Sequence, residues 1–248
     1  MYINDTHILY YILFGVIGIF VGQFIDWCNI RLPECKKILS KEFFTEYLKY
    51  FKPKYLLMFV TSAMYVFLVY TFGMGLDLFK YVFLVPMLLS AFLIDLKLQI
   101  IPNRLNLTIF ETGLVFTFLS VIANTGIGIA SFTDSLFGML IGGGIFLLIT
   151  LLGGLIAGKE AMGFGDVKLM GALGLFFGKI NITIISVLAF LLAAVISIGV
   201  LVFKKKSFSE YIPFGPFIVV STFIVLFTPS ELLWTIMLKI FTLGMYQG

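Results

Sequence analysis

The 248-residue sequence is 60% hydrophobic and only 12% charged, with a mean hydropathy of +1.10 and a net charge of +4. A soluble domain is nearer half apolar and a quarter charged, so these values exclude an ordinary water-soluble fold and predict an all-α polytopic membrane protein. Two cysteines and one histidine do not suffice for a disulfide framework or a four-ligand zinc site, so no metal is expected. Nothing in the charge suggests a nucleic-acid partner.

The first seven residues, MYINDTH, contain no Lys or Arg. They lack the basic start of a cleaved signal peptide, and the first apolar stretch is expected to be retained as a span. Apolar runs then predict spans near Ile8–Asp26, Tyr55–Phe72, Phe79–Ile94, Leu107–Ala123 and Ser135–Ala157. A short Val167–Phe177 follows, then Ile182–Phe203, Ile212–Phe227 and a last, short Leu232–Met245. The expected count is about eight transmembrane helices, nine if the last segment crosses. Val167–Phe177 is under the usual length, which predicts a tilted, re-entrant or bundle-buried helix.

Basic residues alternate along this series. Arg31, Lys36, Lys37, Lys41, Lys49, Lys52 and Lys54 fall in loop 31–54, Lys97 and Arg104 in 97–104, Lys159 and Lys168 in 158–168, and a lysine triplet in 204–206. The intervening connections at Gly73–Asp77, Asn124–Asp134 and Thr228–Glu231 hold none. The positive-inside rule places the N-terminus outside and the four basic loops in the cytoplasm. Loop 31–54 carries ECKKILSKEFFTEYLKYFK, aromatics and charges at helical spacing, and reads as an amphipathic helix on the anionic inner leaflet.

Ionisable groups in hydrocarbon are costly and usually functional. Asp26 and Asp134 stand at span ends, where water or headgroups solvate them. Glu111 is nearer a span interior, as a buried hydrogen-bonding partner or facing a polar cavity. Asp95 ends the run VFLVPMLLSAFLI and is followed by LKLQIIPN, with Pro102 expected to stop the helix. Alone, it could be an interfacial acid paired with Lys97. Asp166 sits in AMGFGDVKLMGALG, where Gly163 and Gly165 permit tight turns; alone, it could be an N-cap. The loop lacks GxxxxGK[ST] and is no nucleotide fingerprint.

Together the two acids mean more. Both fall at cytoplasmic ends of spans, and two carboxylates brought close share one proton. One then takes a proton from water while the other donates to a carbonyl or leaving amine, which is peptide hydrolysis without a metal or covalent intermediate. His7, on the opposite face, is a solvated terminal residue. YIPFGPF at 211–217 reads either as a helix start with an early proline or as an extended segment able to pair with a substrate strand. The glycines at 142–144, 171, 174 and 178 suit close helix packing.

The blocks IDLKLQIIPN, KEAMGFGDVKLMGALG and IPFGPF, in that order, closely resemble the type IV prepilin peptidases, GxGD-type intramembrane aspartyl proteases. The resemblance covers most of the chain from about residue 85. It implies Asp95 and Asp166 as the catalytic pair and Gly163 and Gly165 as the GxGD glycines. With the loop readings above, the substrate-binding positions are Gly163, Gly165, Pro102, Asn103, Pro213, Phe214, Gly215 and Pro216. Members of the family cut the basic leader of prepilins or pseudopilins at the cytoplasmic face of the bacterial cell membrane, just after a glycine. Their substrates feed type IV pilus, type II secretion or DNA-uptake machinery. Proteolysis needs no cofactor, and the partners expected are those substrates and membrane lipid.

At the N-terminal end GQFIDWCNIRLP is similar to the family's GSFLNVVIYRLP at Gly22, Phe24, Arg31, Leu32 and Pro33. Many members then carry a cytoplasmic insert with two zinc-binding CxxC pairs. Here only Cys28 and Cys35 are present, so that module is absent. The region is associated with N-methylation of the new N-terminus, which would draw on S-adenosylmethionine if retained. Residues 1–54 are thus expected to form a span with a reduced methyltransferase-like region, and 55–248 the peptidase domain. Two alternatives differ in their residues. Presenilin or signal-peptide-peptidase relatives pair GxGD with YD and PAL motifs, whereas Ile94 precedes Asp95 and PFGPF replaces PAL here. A transporter or channel would use the acids as ion sites, but no inverted repeat shows. Glu160 and Glu210 could attract a basic leader, and weak pairing with nearby lysines is the favoured reading.

Overall fold

A computed structural model of the chain describes residues 2–4, 6–38, 43–47, 52–123, 128–157, 162–204 and 213–242. A minimal hairpin pairs β1 (Tyr2–Ile3) with β2 (Thr6–His7), and everything else regular is helical: α1 (Ile8–Arg31), a π-helical turn at Phe43–Tyr47, α2 (Tyr55–Phe72), α3 (Leu76–Leu98), α4 (Asn103–Ala123), α5 (Gly128–Ala157), α6 (Phe164–Lys204), α7 (Gly215–Phe227) and α8 (Ser230–Phe241). Six of these, α1 to α6, are long and apolar enough to cross a membrane. Helix is the form such sequence takes, because each backbone N–H and C=O must be satisfied within its own segment. The chain is an all-α, multi-pass membrane protein. Loop 31–54, expected as an amphipathic helix, shows only the short Phe43–Tyr47 turn among its described residues; Lys41 and Lys49 lie outside them.

The chain divides into two compact units, Met1–Thr112 and Gly113–Gly248, so α4 begins in one and ends in the other. In the first unit α1 and α2 run antiparallel with their backbones in contact. A Cβ on Gly18 would lie 2.6 Å from the Cα of Ser62, and one on Gly22 2.6 Å from that of Met58. Small residues four apart allow this approach where water supplies no hydrophobic drive. Ser62 Oγ donates to the Gly15 carbonyl at 2.8 Å, and the buried Tyr65 hydroxyl ties α2 to α3 through the Val82 carbonyl at 2.8 Å.

In the second unit α6 is not one rod. Gly178 has φ 70° and ψ −180°, outside helical space. A Cβ on Gly142 of α5 would lie 2.6 Å from the Met170 carbonyl oxygen and 2.7 Å from Ile182 Cγ1. In a straight helix those two residues stand about 18 Å apart, so the chain folds back at Gly178. Residues 164–177 and 179–204 form two arms, both laid against α5. They coincide with the separate Val167–Phe177 and Ile182–Phe203 segments that hydropathy predicts. Gly138 and Gly174 press backbone on backbone at the fold, a Cβ on Gly174 falling 2.2 Å from the Gly138 oxygen. Gly142 shares this packing role, whereas Gly144 has no atom near its would-be Cβ. Beyond α7 the chain bends by 118° into α8.

Two substitutions separate these uses of glycine. Gly174→Val forces the α5–α6 contact apart and should lower stability by about 2 kcal/mol or more. Gly144→Ala meets open space and should be neutral or stabilising by up to about 1 kcal/mol. Thermal unfolding of the purified protein in detergent reads both.

Candidate active site

Asp95 lies in the last turn of α3 and is 3% exposed. The helix ends four residues later, where Gln99 adopts a left-handed conformation (φ 55°, ψ 34°) and donates its N–H to the Asp95 carbonyl at 2.9 Å. Gln99, not Pro102, is therefore the stop. Pro102 begins the next helix instead: it precedes Asn103, the first residue of α4, and its carbonyl accepts from Leu105 and Asn106 at 3.0 and 3.2 Å. A proline is well tolerated at a helix start because the amide it lacks would find no partner there.

Asp166 is the third residue of α6, 4% exposed, its own N–H donated to the Gly163 carbonyl at 3.0 Å. It is inside the first turn, so the N-cap reading does not hold; a carboxylate here faces the positive end of the helix dipole. Among the described residues the glycines with positive φ are Gly73 and Gly178. Gly163 and Gly165 are not among them, and they make their turn with ordinary φ.

The fold-back fixes the level of Asp166 within its unit. Gly142 faces Met170, and Gly143 lies 3.9 Å from the Val167 carbonyl oxygen, measured from a built Cβ. One turn along α5 is Phe146, whose ring sits 5.2 Å from Phe190 on the second arm and 5.8 Å from Phe214. Asp166 stands one turn before Met170, so Asp166 and Phe214 share a level. From Phe146, α5 continues eleven residues to Ala157, roughly 16 Å. Asp166 ends its arm, but the arm is short and the carboxylate is set well in from the end of α5.

The proline–glycine block is helix start rather than extended strand. Phe214 has φ −90° and ψ −27°, and its carbonyl accepts from Phe217 at 3.0 Å and Ile218 at 3.3 Å. Gly215 and Pro216 open α7 and are buried, and Pro213 is half-buried. The extended reading is overturned for residues 214–216; Tyr211 and Ile212 lie outside the described residues. Lys159, Glu160 and Glu210 do too. Glu111 is exposed on α4, which excludes the buried-partner reading.

The N-terminal strip holds a cluster that sequence reasoning missed. Gln23 donates through Nε2 to the Tyr47 hydroxyl and to the Lys52 carbonyl (3.3 Å), and its Oε1 accepts from the Lys54 N–H at 3.0 Å. Asp26 receives the Tyr47 hydroxyl at 3.2 Å and lies 3.8 Å from Lys54 Nζ. Trp27 Nε1 donates to the Ile38 carbonyl at 3.0 Å and packs on Phe43 and Tyr47. Of the motif positions, Gly22 makes the α2 contact, and Phe24 stacks edge-on with Phe43 at 6.0 Å. Arg31 is buried, donates to the Lys37 carbonyl at 2.9 Å and lies 4.6 Å over the Trp27 ring. Leu32 caps α1 through Cys28 and Pro33 is half-buried. The available signal was polar and aromatic residues at 23, 26, 27 and 31, one helix face. Cys28 is buried and Cys35 exposed, and no group of three His, Cys, Asp or Glu among the described residues could hold a metal. This donor set does not fit the zinc module.

A family model described as the type IV leader peptidase family matches residues 82–198, which include both aspartates. The leader peptidase HopD of Escherichia coli is 33% identical over 138 residues, covering 54% of this chain and 83% of that protein. The chain belongs to the type IV leader peptidase family. A prepilin leader peptidase/N-methyltransferase of Aeromonas hydrophila is 29% identical over 167 residues, 67% of this chain and 55% of that protein. One from Legionella pneumophila is 27% identical over 168 residues, 68% of this chain and 56% of that protein. The chain thus spans about half the length of these larger relatives. No solved structure gives a significant match.

Burial and then the charge of Asp26 push the Tyr47 hydroxyl up to about 12, from an ordinary value near 10. A raised value means that the docked loop keeps a proton the released loop would lose. Docking is therefore intact below about pH 10 and weakens between about pH 10 and 12. In a Trp234→Phe background, Trp27 fluorescence should report a transition near 12 that Tyr47→Phe abolishes; a transition near 10 would show that the hydroxyl is not docked.

Proposed function

We propose that this chain is an aspartic endopeptidase that removes the basic leader of prepilins or pseudopilins. The observation that carries the reading is the burial of Asp95 and Asp166, at 3% and 4% exposure, inside the region matched by the leader peptidase family. Carboxylates buried in an apolar bundle are expensive to keep and so point to function. The ionised member of the pair accepts a proton from the attacking water. The protonated member first donates to the scissile carbonyl oxygen. After the tetrahedral adduct forms, a proton passes to the leaving amine and the pair returns to its shared state.

The substrate is recognised at the cytoplasmic face of a bacterial cell membrane, with the N-terminus of the enzyme outside. The clustering of basic residues in alternate loops supports that orientation. In the second unit Gly163 and Gly165 lead into Asp166, and Phe214, followed by Gly215 and Pro216, lies at its level; in the first Pro102 and Asn103 follow Asp95, and each group is proposed to contact the peptide. The peptidase occupies 55–248, and 1–54 is the reduced form of the region associated with methylation. Relatives named as N-methyltransferases favour a second activity with S-adenosylmethionine, although Gly22 and Arg31 already have packing and loop-holding roles here.

Asp95→Asn and Asp166→Asn should each lower cleavage of a full-length prepilin by roughly a hundredfold or more in reconstituted membranes, with unfolding temperature maintained. Wild-type cleavage by either variant would remove the pair. The mass of the mature N-terminus, read after incubation with labelled S-adenosylmethionine, shows whether a methyl group follows.

A further inference from the structure

The fold-back of α6 is built around an acid that no motif includes. Asp134, in the second turn of α5, has its carboxylate against the backbone of Gly178, so that a Cβ on that glycine would lie 1.9 Å from Asp134 Oδ2. Gly178 also has φ +70°, where a side chain is strained whatever the space. The carboxylate fills the volume that a side chain on residue 178 would take, and it stands at the N-terminal end of the second arm, where negative charge is favoured. Lys179 Nζ lies 3.8 Å from Asp134 Oδ1, but both side chains are around half exposed, at 54% and 42%, and such a pair contributes little. Shape at the turn matters more than the ion pair.

The first arm is held at the same end by other contacts. Gly174 is pressed on Gly138, the built Cβ of Gly113 lies 3.0 Å from Leu175 Cβ, and Thr117 Oγ1 reaches the Leu175 carbonyl at 3.4 Å. From this anchored end the arm runs eleven residues back to Asp166, about 17 Å of helix. A rigid arm transmits any movement of its apex to its other end.

We propose that Asp134 is a positioning residue: by holding the reversal at Gly178 it sets the depth at which Asp166 lies. The proposal rests on the reading of Asp166 as catalytic. Without the carboxylate, the left-handed turn loses its stop and relaxes toward ordinary helix, and the Asp166 end of the arm moves with it. Since a displacement of about 1 Å can cost a hundredfold in rate, the reaction registers the change while substrate binding elsewhere does not.

The test uses the full chain in lipid nanodiscs, with a spin label on Lys168→Cys in a Cys35→Ser background, Cys28 being buried. Collision with oxygen and with a nickel chelate gives the depth of the label beside Asp166. Asp134→Ala should move it by about 3 Å, two residues of helical rise. Without the label, the same variant should lower kcat for prepilin cleavage about tenfold or more, with KM within about twofold. Asp134→Asn keeps the shape and should change neither. If the alanine variant does not give folded protein, Asp134→Ser is read in the same two assays. An unmoved label, or a moved label with kcat intact, overturns the proposal. Should the wild-type protein cleave no prepilin, the peptidase reading fails on that result alone, and the label still decides whether Asp134 sets the depth.

Discussion

Forty-one helical residues in line, the length of α6, would extend about 62 Å, twice the apolar thickness of a bilayer. The chain resolves this by reversing at Gly178, and the second unit is arranged around that reversal. Both arms bear on α5, and near the reversal both need α5 to be bare. Glycines at 138 and 142 provide the bare surface, and Gly174 answers from the first arm. Dispersion between closely apposed backbones is the main attraction available, since lipid is as apolar as any side chain. The position of Asp166 follows from the length of the first arm. The position of Phe214 follows from the rings of Phe146 and Phe190.

Much of this could be read from residue order. The gap between the Val167–Phe177 and Ile182–Phe203 segments contains the reversal, and the alternation of basic loops requires the first of them to cross. The two aspartates stood out because an acid beside a long apolar run has few ordinary uses, and both are buried. Where reading failed, a local rule had more than one outcome. Proline after Asp95 suggested a helix stop, yet Gln99 had already ended α3 in a left-handed conformation that a non-glycine residue seldom advertises. PFGPF suggested irregular backbone, but a proline in the first turn is compatible with helix. Asp134 looked like an ordinary solvated acid because its contact with Gly178 joins positions 44 apart in sequence.

The first unit holds its loop with side chains of α1 as well as with backbone turns at residues 32–36. Gln23, Asp26, Trp27 and Arg31 occupy one face at the end of α1 and bind backbone carbonyls, an amide and the Tyr47 hydroxyl from residues 37–54. Carbonyl acceptors are present in every residue, so this clamp asks little of the loop's sequence beyond its aromatics. That explains how the loop can be short, basic and poor in cysteine and still be tied down. It also gives Arg31 a structural use: its guanidinium satisfies a carbonyl while stacking on Trp27, which a lysine would do less well.

The glycine contact at the apex of α6 has a consequence for the surrounding lipid. Because backbone is pressed on backbone at Gly174 and again at Met170, the depth of Asp166 is tied to α5. Thickness differs by a few ångström between membranes, and helices answer mismatch by tilting or by deforming the lipid around them. Asp166 therefore shifts with α5 whenever that helix tilts, so a response to lipid chain length passes through the glycine contacts.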